Sequence, residues 1–398
     1  MNFKCLFKSI FLISLFFLFS CGTTGNLVSD TAEETSGESS EENENPSISL
    51  VFAGDIMAHE TNYKNGNFNL IWQDVKPLIS SGDLSFANIE APVNDDMEWS
   101  AYPQFNMHSE YVNAAIKAGF NVFSLANNHS NDWSLEGINA TKTYFASRND
   151  VWACGLKRNL ADKITYRLIQ KGEWKVLFVA YTELLNSDDS SKWIDYFPQK
   201  KRDFLIDQLK KLYAINRPDI FVVSVHTDEE EYKSAVTENH RTFYKRLISE
   251  CGVDVVWANH PHVYKKFEEV KATFKNGDAN IPKNAFIMYA NGNTISGQRS
   301  SPSLAKAQTS RDDTGDGLII KLTFEKEQQG TSSSAVKLKT VEPHLITSYI
   351  MPNGQTVVRL ADKDFIRSLT RAGLFSWANY VQLRKDIYEK AQGSNLWQ

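Results

Sequence analysis

The chain has 398 residues, 42% hydrophobic, 12% aromatic and 23% charged, with a net charge of −5. That composition is globular and excludes a fully disordered, collagen-like or many-span membrane protein; the mild acidity argues against nucleic acid as a partner. The length allows roughly two to three domains, or one large α/β domain with additions.

Residues 1–20 read as a signal peptide. Lys4 and Lys8 form a basic start, and Ile10 to Phe19 is apolar except for Ser14. That run falls short of the about 20 residues of a permanent bilayer helix. Leu18-Phe19-Ser20-Cys21-Gly22 looks like a bacterial lipobox. Cys21 is therefore expected to carry lipid and to tether an exported protein to a membrane; ordinary secretory cleavage near Ser20 is the alternative. Residues 21–46 follow as an acidic linker without Lys or Arg, and it cannot bury apolar surface. Its acids and the two leader lysines account for the whole charge imbalance, because acidic and basic residues are equal in number from Ser47 onward. Cys154 and Cys251 lie in no Cys-x-x-Cys pattern and read as buried thiols rather than as a disulfide.

From Ser47 apolar runs alternate with amphipathic stretches, which predicts an α/β fold with buried strands. Ser47 to Ala53 runs into Gly54-Asp55, and Asp83 to Ala87 into Asn88-Ile89-Glu90. Asn121 to Ala126 runs into Asn127-Asn128-His129, Asp219 to Val225 into His226, and Val253 to Ala258 into Asn259-His260-Pro261-His262. Helices are predicted over Tyr111 to Ala118 and Arg241 to Glu250. Each apolar run ends in a potential metal ligand, and open α/β sheets bind ligands beyond the carboxyl ends of their strands. Singly, each residue has an ordinary reading: Asp55 as a turn residue, Glu90 as a solvated loop residue, Asn128 as a cap, His226 as a core histidine. Together they form a nitrogen and oxygen donor set without thiolate, suited to divalent ions such as Mn, Zn or Fe. In His260-Pro261-His262, alternation in an extended segment would put both imidazoles on one side.

At these residues the sequence resembles the CapA family of capsule (poly-γ-glutamate) synthesis proteins. The matching stretches are Phe52-Ala53-Gly54-Asp55-Ile56-Met57, Asp83 to Pro92, Ala118 to His129, Cys251 to Val263 and Ile287 to Asn293. The resemblance implies a metallo-dependent phosphatase-like (calcineurin-like metallophosphoesterase) α/β fold, a layered β-sheet core with flanking helices, over residues 47–300. It implies one or two divalent metal ions held by Asp55, Glu90, Asn128, His226, His260 and His262, with Glu90 where phosphoesterases place a bridging Asp. It makes His129 a proton donor. Asp132, three residues on, either orients His129 or caps the helix predicted over Trp133 to Phe145.

The sequence departs from the expected pattern in three places, one being Ala258 or Asn259 where a Gly is expected before the last motif. Asp55-Ile56-Met57 replaces Asp-x-His, methionine being a poor ligand for a hard ion, and His59 sits two residues too far along to stand in for it. Thr227-Asp228 replaces the Trp-Gly after the isolated histidine. Residues 301–398 are expected to add strands (Gly317 to Phe324, Val336 to Thr340, Thr356 to Leu360) and helices (Lys363 to Phe375, Trp377 to Lys390) packing on the core, with a polar loop over Gln328 to Ser334 and a separate small domain as the alternative. Asn293 is read as a turn residue sooner than as part of the site.

The functional expectation is a membrane-tethered, metal-dependent hydrolase of cell-surface polymer biosynthesis or processing, acting at a phosphoester or amide centre with His129 as general acid. Its partners would be an anionic surface polymer and membrane synthesis or export proteins, with no nucleic acid. A non-catalytic polymer-binding or assembly lipoprotein and a secreted phosphoesterase are the alternatives.

Overall fold

The structure, a computed structural model, describes residues 45–64, 66–305, 309–327 and 335–393. The expected signal peptide, Cys21, nearly all of the acidic linker and the polar loop over 328–334 lie outside the described residues. Among those described, no helix is long and apolar enough to cross a membrane.

The strands in chain order are β1 (Ser47–Ile56), β2 (Leu84–Ile89), β3 (Val122–Ser124), β4 (Trp152–Cys154), β5 (Arg167–Lys171), β6 (Trp174–Thr182) and β7 (Ile220–His226), then β8 (Val255–Asn259), β9 (Phe267–Asn276), β10 (Ala279–Met288), β11 (Asn293–Ile295), β12 (Asp316–Glu327), β13 (Ala335–Ile350) and β14 (Thr356–Leu360). One sheet runs β14-β13-β12-β1-β2-β3-β4, with β11 also pairing β1; the other runs β5-β6-β7-β8-β10-β9. Neighbours from β1 to β4 are parallel, as are β6, β7 and β8, whereas β12 runs antiparallel to β1. The late strands thus extend the first sheet through β1.

The unbroken apolar runs follow from burial on both faces. Side chains alternate along a strand. Leu50 and Phe52 of β1 therefore enter the core shared with Phe178 of β6, Val222 of β7 and Trp257 of β8, while Val51 and Ala53 meet helix Ser109–Ala118 and its neighbours. Phe221, Val223 and Val225 of β7 pack under helices Arg202–Asn216 and Glu238–Cys251. Phe52 and Phe86 stack at 4.5 Å, and Trp257 lies 5.9 Å from Phe52. The Trp257 indole N–H donates to the Ala53 carbonyl at 2.8 Å, a polar tie from one sheet to the other.

Cys154 and Cys251 are buried free thiols, Cys154 in the inter-sheet core and Cys251 under the second sheet's helices. Strand β14 has the expected bounds, while β3 keeps only Val122–Ser124 of its predicted run, because the chain leaves the sheet to build the Asn127 to His129 loop. The C-terminal helix Phe375–Gly393 is fastened to β12 by Arg384, whose Nε donates to Asp316 at 2.5 Å.

Candidate metal centre

The first sheet delivers Asp55 near the end of β1, Glu90 just past β2 and Asn128 past β3. The second delivers His226 as the last residue of β7, and His260 and His262 just past β8. These ends converge, as the parallel strands require, and all six side chains are buried.

Local backbone chemistry sets the approach. A Cβ on Gly54 would lie 1.8 Å from the Gly292 carbonyl oxygen, so only glycine lets β1 pass that turn. The Asp55 amide then donates to the same oxygen at 3.0 Å, which fixes where the carboxylate starts. His260 (φ 104°) and His262 (φ 57°) occupy the left-handed half of backbone space. The segment is a bend, not the extended stretch expected from alternation, and the two rings meet at 5.9 Å because the backbone turns. Such conformations persist where surrounding contacts enforce them, and they concentrate at functional sites.

Glu90 stands at the middle of the cluster. Its Oε1 lies 3.7 Å from His226 Nε2 and 3.7 Å from His262 Nε2. Asp55 Oδ2 is 3.4 Å from His262 Nδ1, and Asn128 Oδ1 is 2.7 Å from His226 Nε2. Two triads, Asp55–Glu90–His226 and Glu90–His260–His262, each bring donor atoms within 4.8 Å of one another, and Glu90 belongs to both.

Burial, with the Asp55 carboxylate beside it, pushes the Glu90 carboxyl well above the usual range. Burial and the neighbouring imidazoles push His226 well down, and His260 down to about 3. Glu90 Oε1, His226 Nδ1 and His260 Nδ1 are buried without a hydrogen-bond partner. Buried polar atoms are normally paired. Buried carboxylates and imidazoles gathered with donor atoms within 4.8 Å of one another, some of them unpartnered, fit a divalent cation, whose charge would offset the desolvation that raises Glu90.

Beside this cluster, His129 Nδ1 is 2.7 Å from Asp132 Oδ2, an oxygen that also accepts the Phe105 amide at 2.7 Å. Phe105 packs edge-on against the His129 ring at 4.8 Å. The following helix spans Ser134–Ala146, with Trp133 at its N-cap and no side-chain cap bond, so the Asp132 carboxylate serves His129 and not the helix end.

Met57 is outside the cluster. Its side chain lies in the helix-side core, and its carbonyl accepts the Tyr111 hydroxyl at 3.1 Å. His59 lies in a cleft of ≈ 740 Å³ that Asn128 and His129 also line, with its Nδ1 accepting from the Gly297 amide at 3.1 Å. Burial drives His59 down to about 3.

The asparagines are what sequence reasoning missed. Asn88 Nδ2 donates to Asp55 at 2.9 Å and lies 3.3 Å from Glu90, spacing the two carboxylates. Asn127 Nδ2 donates to the Ile89 carbonyl at 2.7 Å, tying the His129 loop to β2. Asn293 is no plain turn residue. It begins β11, and its Oδ1 is 3.1 Å from His262 Nδ1. The signal for Asn88 and Asn127 was polarity at the end of an apolar run; for Asn293 it was the Gly292 turn.

A second buried charged cluster adjoins the first. Glu183, whose amide donates to the His226 carbonyl at 2.8 Å, takes Arg202 at 2.8 Å and His240 at 3.0 Å. Asp228 takes His240 at 2.8 Å, and Glu229 takes Lys265 at 2.5 Å. Although burial opposes it, Asp228 and Glu183 hold His240 up to about 9. Cations already face the carboxylates here, so this group is a salt-bridge network although Glu183, Asp228 and His240 have metal-ligand spacing.

Residues 49–298 match the family model described as bacterial capsule synthesis protein PGA_cap. The chain is 25% identical to the capsule biosynthesis protein CapA of Bacillus anthracis, over 63% of this chain and 60% of that one. It is 25% identical to the PGA biosynthesis protein CapA of Bacillus subtilis, over 83% of this chain and 80% of that one. Among solved structures it is similar to a phosphatase from Mycoplasma pneumoniae, at TM-score 0.47 and 14% identity over 78% of this chain and 96% of that one. It is also similar to the NAD nucleotidase of Haemophilus influenzae, at TM-score 0.41 and 11% identity over 79% of this chain and 60% of that one. With 250 of its residues, 49–298, matched in one continuous stretch that carries every strand-end ligand, the chain belongs to the bacterial capsule synthesis protein family PGA_cap.

Proposed function

We propose that this capsule-synthesis family member is a metal-dependent hydrolase of a cell-surface polymer, exported and anchored to a membrane through lipid on Cys21. The observation that carries the reading is the set of buried donor atoms without partners on Glu90, His226 and His260, beside a histidine oriented by a carboxylate. Asp55, Glu90, Asn128, His226, His260 and His262 would hold one or two divalent ions; Mn, Zn and Fe all suit the donors. When bound, such ions supply Lewis-acid polarisation and a water of lowered pKa.

The chain's own residues do the rest. Asp132, accepting from His129 Nδ1–H, leaves Nε2 as the nitrogen that exchanges a proton with the leaving group. Asn186 Nδ2, at 3.3 Å and 3.5 Å from the two ring nitrogens, holds the ring's other flank. Phe105 and the buried strand ends keep bulk water from the carboxylates. An anionic surface polymer and membrane proteins that make or export it would be the partners.

Purified protein should contain metal and hydrolyse either a model phosphodiester or poly-γ-glutamate. His129→Ala should retain the metal and lose roughly 10²- to 10⁴-fold in kcat, the usual share of a general acid. Absence of metal after reconstitution would reject the catalytic reading.

The non-catalytic assembly reading draws on Met57, whose side chain is in the core where a phosphoesterase would offer histidine. It predicts that capsule or envelope phenotypes survive both His129→Ala and His260→Ala while deletion abolishes them.

A further inference from the structure

The cleft over the metal centre has a feature that the hydrolytic reading does not use. Tyr232 sits in it at φ 61°, a left-handed conformation that a bulky residue avoids. Its amide donates to the Pro261 carbonyl at 2.9 Å, so the loop after β7 is pinned to the loop that carries His260 and His262. The loop is secured from below by Glu229, which takes Lys265 at 2.5 Å and the Thr237 amide at 2.7 Å. The Tyr232 ring consequently lies 6.2 Å from the His262 ring at 34°. Arg311 lies over the same tyrosine, its guanidinium 5.6 Å from the ring centroid. His262, Tyr232 and Arg311 thus form a ladder from the buried ligands to the cleft.

Arg311 lines the cleft and is exposed. Among the described residues no carboxylate lies within 4.0 Å of it, although Glu231 lines the same cleft. Its charge is felt inside the cleft, where it helps depress His59 and opposes the rise of Tyr232. An arginine stacked on an aromatic ring keeps its planar fork of donors free, and that fork matches the paired oxygens of carboxylate and phosphate.

We propose that Arg311, held on Tyr232, binds an oxyanion of the substrate at a position removed from the bond that the metal centre attacks, so that the cleft selects substrates carrying a second anionic group. Tyr232 acts as a positioning residue. The substrate role rests on the hydrolase reading, whereas oxyanion binding by Arg311 does not. The oxyanion is a carboxylate, as in a γ-linked glutamate oligomer, or a phosphate.

Calorimetric titration of the metal-loaded full chain with γ-linked triglutamate and with inorganic triphosphate separates these sources. Arg311→Ala should weaken at least one probe by roughly 10- to 100-fold, as for a lost charge-assisted hydrogen bond, with metal content unchanged. Arg311→Lys should restore part of that affinity, because it keeps the charge and loses the fork. Added salt should weaken binding to the wild type and have less effect on Arg311→Ala. Tyr232→Ala and Arg311→Ala should be non-additive, whereas a purely structural tyrosine would add its effect independently. Equal affinity of wild type and Arg311→Ala for both probes, or no binding of either probe to the wild type, overturns the proposal. Binding that depends on Arg311 without turnover of any polymer sustains it and removes the hydrolase reading instead.

Discussion

Two charged clusters lie side by side around the end of β7, which gives His226 to one and leads to Asp228 and Glu229 of the other, and they are built on opposite plans. In the Glu183–Arg202–His240–Asp228–Glu229–Lys265 network each carboxylate has a cation against it. In the Asp55–Glu90–His226–His260–His262 cluster the carboxylates face each other and imidazoles, with no Arg or Lys among them, and three donor atoms have no hydrogen-bond partner. The first arrangement is complete within the chain. The second is completed only by something positive from outside. Residue type does not separate them, since both contain Glu, Asp and His; the presence of Arg and Lys does.

Substitutions should break this contrast in opposite ways. The largest effect is expected from Glu90→Gln, which should abolish metal binding and hydrolysis while the metal-free variant unfolds no more easily than metal-free wild type, because a buried carboxyl has been neutralised. Metal analysis with thermal unfolding of both proteins checks this, and a clear loss of apo stability would contradict it. Arg202→Ala should do the reverse. Leaving Glu183 with His240 as its one remaining cation should destabilise the fold by about 3 kcal/mol, the low end for breaking a buried pair, while the folded fraction still binds metal. Denaturant titration gives the first number and metal analysis of the native fraction the second.

Asn293→Ala should be milder, lowering metal affinity by roughly 10- to 100-fold through a freed His262 ring, with kcat at saturating metal little changed. The smallest effects are in pH dependence, and they differ in sign. His240 has a raised folded pKa, so its contribution is full below pH 6.5 and lost as pH rises through about 9. His260 has a lowered folded pKa, so in metal-free protein stability is lost as pH falls from 6.5 toward 3. His240→Gln should therefore flatten the alkaline side of the stability curve and His260→Gln the acid side, shifts of about a few degrees in Tm.

Much of this was legible in the sequence. The period-free apolar runs marked strands covered on both faces, and the polar residues ending them marked the site, because a parallel sheet gathers its strand ends in one place. The bend at His260-Pro261-His262 was not legible, since φ is chosen by packing against Asp55 and Asn293, residues that distant parts of the chain supply. The same holds for the salt-bridge network. Thr227-Asp228 read as a departure from a motif, yet its meaning depends on His240, which no local pattern connects to it. The division of labour between Asp132's two readings needed the Phe105 amide, which competes for the same carboxylate.

Strand β1 begins at Ser47, where the acidic linker ends, and brings Asp55 to the metal centre near its other end. It is hydrogen-bonded along its length to β12 on one side and β2 on the other. If Cys21 anchors the chain and a polymer is gripped at the cleft, tension enters and leaves through this one strand, about 33 Å long at strand rise. Pulled along its axis, β1 loads its ladder bonds together in shear instead of peeling them one at a time. The protein would then resist force best in the direction in which a growing surface polymer would pull it.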